Sequence, residues 1–90
     1  MTQDRVEKIR QRLETQLQPE LLEIEDESRL HAGHAGARDG RGHFRVMIVS
    51  PAFQGLSRIA RHRLVFDAMG ELMETDIHAL AVQAFSPDEL

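Results

Sequence analysis

Ninety residues with a net charge of −4 make one small domain with little room for a second core. Apolar residues are 41% and charged residues 29%, ordinary for a globular chain, and no apolar run approaches the roughly 18 residues of a membrane span. The absence of cysteine excludes disulfides, all-protein iron–sulfur sites and cysteine-type zinc sites, so a metal here needs histidine, carboxylate or ligands from a partner.

Thr2 can cap a predicted helix running to about Leu17, on which Val6, Ile9, Leu13 and Leu17 recur at steps of three and four. The stripe is narrow, as in a helix that covers one face of a sheet, and Pro19 ends it. From Leu21 to Glu27, Leu22, Ile24 and Asp26 alternate with Glu23, Glu25 and Glu27, which predicts a half-buried strand with an acidic outer face. The stretch HAGHAGARDGRGHF, residues 31–44, carries three histidines and four glycines and is too loosened for a regular element. It leads into HFRVMIVS, the strongest strand signal, with Phe44, Val46 and Ile48 on one face and Met47 and Val49 on the other. Both faces should be covered at its far end.

Ser50-Pro51 breaks that strand, and Phe53-Gln54-Gly55 turns the chain. Ser57 can cap SRIARHRLVFDAMGELM, helical by propensity in one or two pieces, with Val65, Ala68, Met69 and Leu72 as its later buried stripe. Gly70 within it costs about 1 kcal/mol relative to alanine, which points to close packing or a bend. Ile77 to Phe85 reads as a third strand, and SPDE (Ser86 to Glu89) as a capping box with proline at the first helical position. The order helix, strand, strand, helix, strand lets the first two strands pair antiparallel and the third join in parallel through a right-handed crossover. The fold class is therefore α+β, a two-layer sandwich on a three-stranded mixed sheet.

Charge is unevenly spread. Residues 1–28 carry four bases and eight acids, residues 29–66 seven arginines and one acid, Asp39, and residues 67–90 six acids and no base. The basic middle can attract a phosphate, a small anion or an acidic patch, or its charges can interleave with the acids once folded. Arg58, Arg61, His62 and Arg63 cluster at a helix start, where cations oppose the helix dipole and a bound anion would relieve them. The plain alternative is an exposed face paired with the acids of the first strand.

Among the five histidines, His43 and His78 each lead into a strand, and strand ends hold a ligand more rigidly than a loop does. Side by side, the two imidazoles could meet at one rim of the sheet. The plain alternative for His78 is a partly buried strand residue bonded to a neighbouring carbonyl. His31 and His34 lie in the loosened stretch, and no HExxH motif is present. The chain has no GxSxG, no P-loop, no dinucleotide-type glycine pattern and no cysteine nucleophile, which argues against an enzyme. MTQDRVEKIRQRLE lacks a secretory apolar region, so the simplest expectation is a cytoplasmic protein.

DESRLHAGH, then GHFRVMIVSPAFQGLSRIARHRLVFDAM, then DIHALAV and SPDEL together resemble the BolA family, in register from about Asp26 to the C-terminus. The combination of HF-x-V-x-IVS, F-x-G, RHR-x-V and IHAL is specific. The resemblance implies a fold akin to the class II KH domain, with helices on one face of the sheet. It implies a partner of monothiol glutaredoxins in iron–sulfur trafficking and iron homeostasis, with a [2Fe–2S] cluster shared with the glutaredoxin and glutathione. The family's IHAL histidine maps to His78. The second ligand, a histidine or cysteine from the loop between the first two strands, maps to His43, or to His34 nearer the loop's start; His31 has no clear counterpart. Two imidazoles replacing thiolates would raise the cluster's potential, and acid would weaken the site because only deprotonated nitrogen binds.

A second role implied for some family members is DNA binding with transcriptional control, using the KH-like shape and the RHR cluster. Against it stand the net negative charge and the lack of the KH family's GxxG loop, replaced here by Phe53-Gln54-Gly55-Leu56. A third is an adaptor whose histidines bind nothing.

Overall fold

The computed structural model describes residues 2–28 and 41–90. Its elements are α1 (Thr2–Leu17), β1 (Leu21–Asp26), β2 (Gly42–Val49), α2 (Arg58–Met69), α3 (Leu72–Thr75) and β3 (Ile77–Phe85), with 3-10 turns at Pro51–Phe53 and Pro87–Glu89. The sheet runs in the order β1-β2-β3; β1 pairs antiparallel and β3 parallel with β2. This is the expected α+β architecture, with β2 in the centre.

The strand period of two sorts the side chains. Phe44, Val46 and Ile48 of β2 are buried, with Leu22 and Ile24 of β1 and Leu80, Val82 and Ala84 of β3 packed beside them. Ile9, Leu13 and Leu17 of α1, Val65, Ala68 and Met69 of α2, and Leu72 of α3 close the same apolar layer. The opposite face carries Glu23, Glu25 and Arg45 in the open, and the helices among the described residues pack on the apolar side. At its far end Val49 is buried and Met47 half-buried, so coverage there extends to both faces.

The first strand ends earlier than the sequence reading placed it, and the second helix takes the two-piece form that the reading allowed. β1 stops at Asp26, one residue early, because the Asp26 carboxylate accepts the Ser28 N–H at 2.9 Å and turns the chain. The long helix divides at Gly70, which caps α2 with φ of +54°. Gly70 serves both of its expected purposes, since a Cβ there would also stand 3.0 Å from Arg12 Nη1. Arg12 reaches across from α1 to donate to the Met69 carbonyl at 3.2 Å and to pair with Glu71, joining the two helices at the break.

The chain reversal after β2 is held by buried polar groups. Ser50 is fully buried; its hydroxyl donates to the Leu17 carbonyl at 2.5 Å and accepts the Ala52 N–H at 3.1 Å. Phe53 fills the core from the following turn. Ser57 caps α2 as expected, accepting the Ala60 N–H at 3.1 Å. Among the described residues, no helix is long and apolar enough to cross a membrane.

Candidate functional site

The parallel ladder between β2 and β3 is irregular at its beginning. Gly42 faces Ile77, but His43 faces Ala79, so His78 is an extra residue on β3. Such a bulge breaks the in-and-out alternation. Ile77 is buried, His78 and Ala79 are both exposed, and Leu80 returns to the apolar layer. His43, also on the open face, is half-buried. The bulge brings the two imidazoles together, with ring centres 5.2 Å apart and planes tilted by 50°. Two imidazoles bound at about 2.1 Å to one tetrahedral metal atom have ring centres roughly 5 Å apart. The separation alone matches two ligands of a shared metal atom, which makes the pair a candidate donor set. Among the described residues, no group of three histidine, cysteine or carboxylate side chains is arranged to hold a metal, so further donors have to come from elsewhere. His31 and His34 lie outside the described residues.

Backbone contacts fix the bases of both histidines. The His43 N–H donates to Ser28 Oγ at 3.2 Å, and its carbonyl accepts the Glu27 N–H at 2.7 Å. The Gly42 N–H donates to the Asp76 carbonyl at 2.9 Å, joining the start of β2 to the entry of β3. Gly42 is required sterically: a Cβ would lie 2.7 Å from the Phe44 ring and 2.7 Å from Ser28 Oγ. The Asp76 side chain is largely buried and anchors α1 through Lys8 at 3.3 Å and Arg5 at 3.5 Å. The Thr75 hydroxyl donates to it at 2.5 Å, and this bond, with help from Lys8 and Arg5, holds its carboxyl below the usual range against the cost of burial.

Arg41 completes the rim. Its Nη1 donates to the Met73 carbonyl at 3.1 Å, and its Nη2 stands 3.4 Å from His78 Nδ1. The sequence reading passed over Arg41, Ser28 and Asp76. Arg41 did carry a signal, because a residue two before His43 on an extended chain shares its side. Ser28 and Asp76 were legible only from the strand register.

The basic cluster divides. Arg61 is turned inward: Nε donates to the Leu56 carbonyl at 2.9 Å and Nη1 to the Ala84 carbonyl at 3.2 Å. Its two terminal nitrogens also grip the Glu89 carboxylate at 2.6 and 2.9 Å. These bonds use four of the five N–H groups that an arginine has. Glu89 in turn accepts the Ser86 N–H at 2.8 Å, the side-chain arm expected of a capping box. Arg61, and then Ser86, pull the Glu89 carboxyl from its ordinary 4.5 to about 2. The acids of β1 are thus not the partners of this face, contrary to the plain alternative above; Arg45 of β2 takes Glu27, at 3.0 Å. Arg58 and His62 line a groove with Leu56, Val82 and Gln83, between the first turns of α2 and β3. Arg63 is exposed on α2 and is not among the residues lining that groove.

A family model described as BolA-like protein matches residues 13–89. The chain belongs to the BolA family. BolA-like protein 1 of Mus musculus is 48% identical over 79 residues, 88% of this chain and 56% of that protein. The DNA-binding transcriptional regulator BolA of Haemophilus influenzae is 36% identical over 81 residues, 90% of this chain and 76% of that protein. Among solved structures, the BolA domain of SufE1 from Arabidopsis thaliana superposes with a TM-score of 0.85 at 43% identity, covering 96% of this chain and 95% of that one. This BolA chain spans only 24 to 56% of the length of several curated relatives that it matches.

Proposed function

We propose that this BolA protein partners a monothiol glutaredoxin and co-ligates a shared [2Fe–2S] cluster, serving iron–sulfur trafficking and iron homeostasis. The observation that carries the reading is the His43–His78 pair at 5.2 Å on one open rim. His78 is the outer ligand, offered by the bulge. His43, tied through its backbone to Ser28 and Glu27, is the second, with His34 as the alternative. Two imidazoles fall short of a cluster's four-ligand requirement, and a chain without cysteine cannot supply the rest as thiolate. The glutaredoxin cysteine and a glutathione thiol make up the set. The cluster, when bound, supplies iron and sulfide for delivery or one-electron chemistry, at a potential raised by its imidazole ligands.

The test mixes the protein with a monothiol glutaredoxin, glutathione, iron and sulfide. A heterodimer should form whose visible absorption differs from that of the glutaredoxin homodimer. His78→Ala should remove the difference and His31→Ala should leave it intact. Comparing His43→Ala with His34→Ala assigns the second ligand. Sulfur-only coordination in the assembled pair, with no nitrogen on either iron, would refute the proposal.

The Haemophilus relative's name favours a second reading, DNA-binding transcriptional control. Here the groove beside α2 would meet phosphate through Arg58 and His62, with Arg63 nearby, while Arg61 stays committed to Glu89. DNA affinity should then fall steeply with salt, and Arg58→Ala with Arg63→Ala should flatten the slope. Affinity indifferent to salt would exclude phosphate-driven binding.

A further inference from the structure

We infer that the partner of the proposed function docks on the open face of the sheet, and that it does so through a basic surface with an apolar border. The inference rests on that function and adds the place and chemistry of the contact. The period of two and the strand register lay three rows across this face. Glu25, Arg45 and Ala81 form the row next to His43 and Ala79. Glu23, Met47 and Gln83 follow, and Leu21, Val49 and Phe85 make the far row. The two glutamates, Arg45, both alanines and Gln83 are exposed. Met47 and Phe85 are half-buried, and Leu21 keeps 41% of its surface in water. One continuous surface thus runs from His43 through acids to an apolar border. A partner gripping a metal atom at His43 and His78 stands over this surface, because His43 belongs to it.

Charge selects the occupant. Arg45 is already answered by the Glu27 carboxylate at 3.0 Å, whereas Glu23 and Glu25 enter no ion pair among the described residues. The face therefore carries negative charge beside its apolar row. Such a field draws lysine and arginine and repels phosphate, so a nucleic acid does not fit here. It also repels its own image, which disfavours a two-fold pairing of two copies through this face. Ala79 and Ala81 leave room for a partner's chain to come close beside His43 and Arg45. Size sets the strength of the contact. Three strands about 4.8 Å apart, over roughly 20 Å of their length, make a patch of about 300 Å2. A stable interface needs about 800 Å2 on each side. The face alone gives a weak, salt-sensitive contact, and a metal joint at the adjoining rim strengthens it by holding both contacts in one assembly.

The test titrates cluster-loaded monothiol glutaredoxin into the parent, Glu23→Gln/Glu25→Gln and Glu23→Lys/Glu25→Lys at low and high salt, following heterodimer formation by visible absorption. The parent should need more glutaredoxin as salt rises. The lysine variant should need about tenfold more than the parent at low salt, the order expected from reversing two exposed charges, and the glutamine variant should fall between. At saturation both variants should reach the parent's spectrum, because the ligands are untouched, whereas His78→Ala alters the spectrum itself. Leu21→Ser should weaken assembly equally at both salts. Amide shifts of the 15N-labelled protein with cluster-free glutaredoxin should centre on Glu23, Glu25, Arg45 and Gln83. Both glutamates are exposed, so the variants should keep the parent's fold, which their own amide spectra check. A lysine variant that assembles like the parent overturns the inference, as do shifts confined to α2. Self-association of the protein alone, lost in the lysine variant, overturns it too, because a second copy would then be the occupant. If assembly is charge-sensitive but no nitrogen is bound to iron, the ligand roles proposed above fail while the docking face stands. If imidazole-ligated heterodimer forms and the variants match the parent, only the docking face fails. If no heterodimer forms, both fail.

Discussion

The two ends of the β2–β3 ladder contrast. At the far end polar groups answer one another inside the fold: Ser50 serves Leu17 and Ala52, and Arg61 closes on Glu89, Leu56 and Ala84. At the near end the backbone is held just as firmly, by Ser28, Asp76 and Gly42, but its rings gather at the rim: His78 is exposed, His43 lies half-buried beside it with its Nε2 buried, and Arg41 borders them. Two arginines make the same point. Arg61 closes on a carboxylate and two carbonyls within the fold, whereas Arg41 reaches the Met73 carbonyl and the ring of His78 at the rim. The far end joins α2 to the closing turn as a clasp, and the near end sets the two candidate ligands on a firmly held backbone.

Four substitutions break or sharpen this contrast. Gly42→Ala should have the largest effect, about 3 kcal/mol of stability by chemical denaturation, because its Cβ meets a buried ring and Ser28 at 2.7 Å. It should also weaken Zn2+ binding by shifting His43; a stable Gly42→Ala would show that the near end is loose. Ser50→Ala should lose about 2 kcal/mol, since one hydroxyl satisfies two backbone groups in a buried setting, and should leave Zn2+ binding unchanged.

Glu89→Gln should have a smaller effect that depends on pH. The carboxyl is lowered from 4.5 to about 2 in the folded protein, so its contribution is complete above about 4.5 and is lost as pH falls toward about 2. The stability gap between parent and variant should close over that interval, and a gap constant with pH would mean that the clasp is not ionic. His78→Ala should change stability least, within about 0.5 kcal/mol, because the side chain is exposed. A large loss would make His78 a structural residue and undo the comparison.

Most of the fold was legible because its signals are local. The α1 stripe, the bounds Ile77–Phe85, the Ser57 cap and the buried set Val65, Ala68, Met69 and Leu72 all follow from periodicity and capping chemistry. The site was half legible. His43 and His78 were visible as strand leaders, but their approach depends on a bulge, and a one-residue irregularity leaves no mark in composition. Partners distant in sequence were hidden for the same reason. Arg61 finds Glu89 rather than the acids of β1, and Asp76 finds Lys8 and Arg5, because three-dimensional closure and not spacing chooses among many available charges.

The bulge also limits how this rim can be redesigned. Positions 77 and 80 point into the apolar layer, so a donor moved to either would be buried beneath the helices. Only 78 and 79 deliver a side chain to the outer surface at this end of β3, and 79 lies directly across from His43. Exchanging imidazole for thiol or carboxylate therefore has two usable addresses, and a histidine at the second would place both rings in the same rung of the ladder.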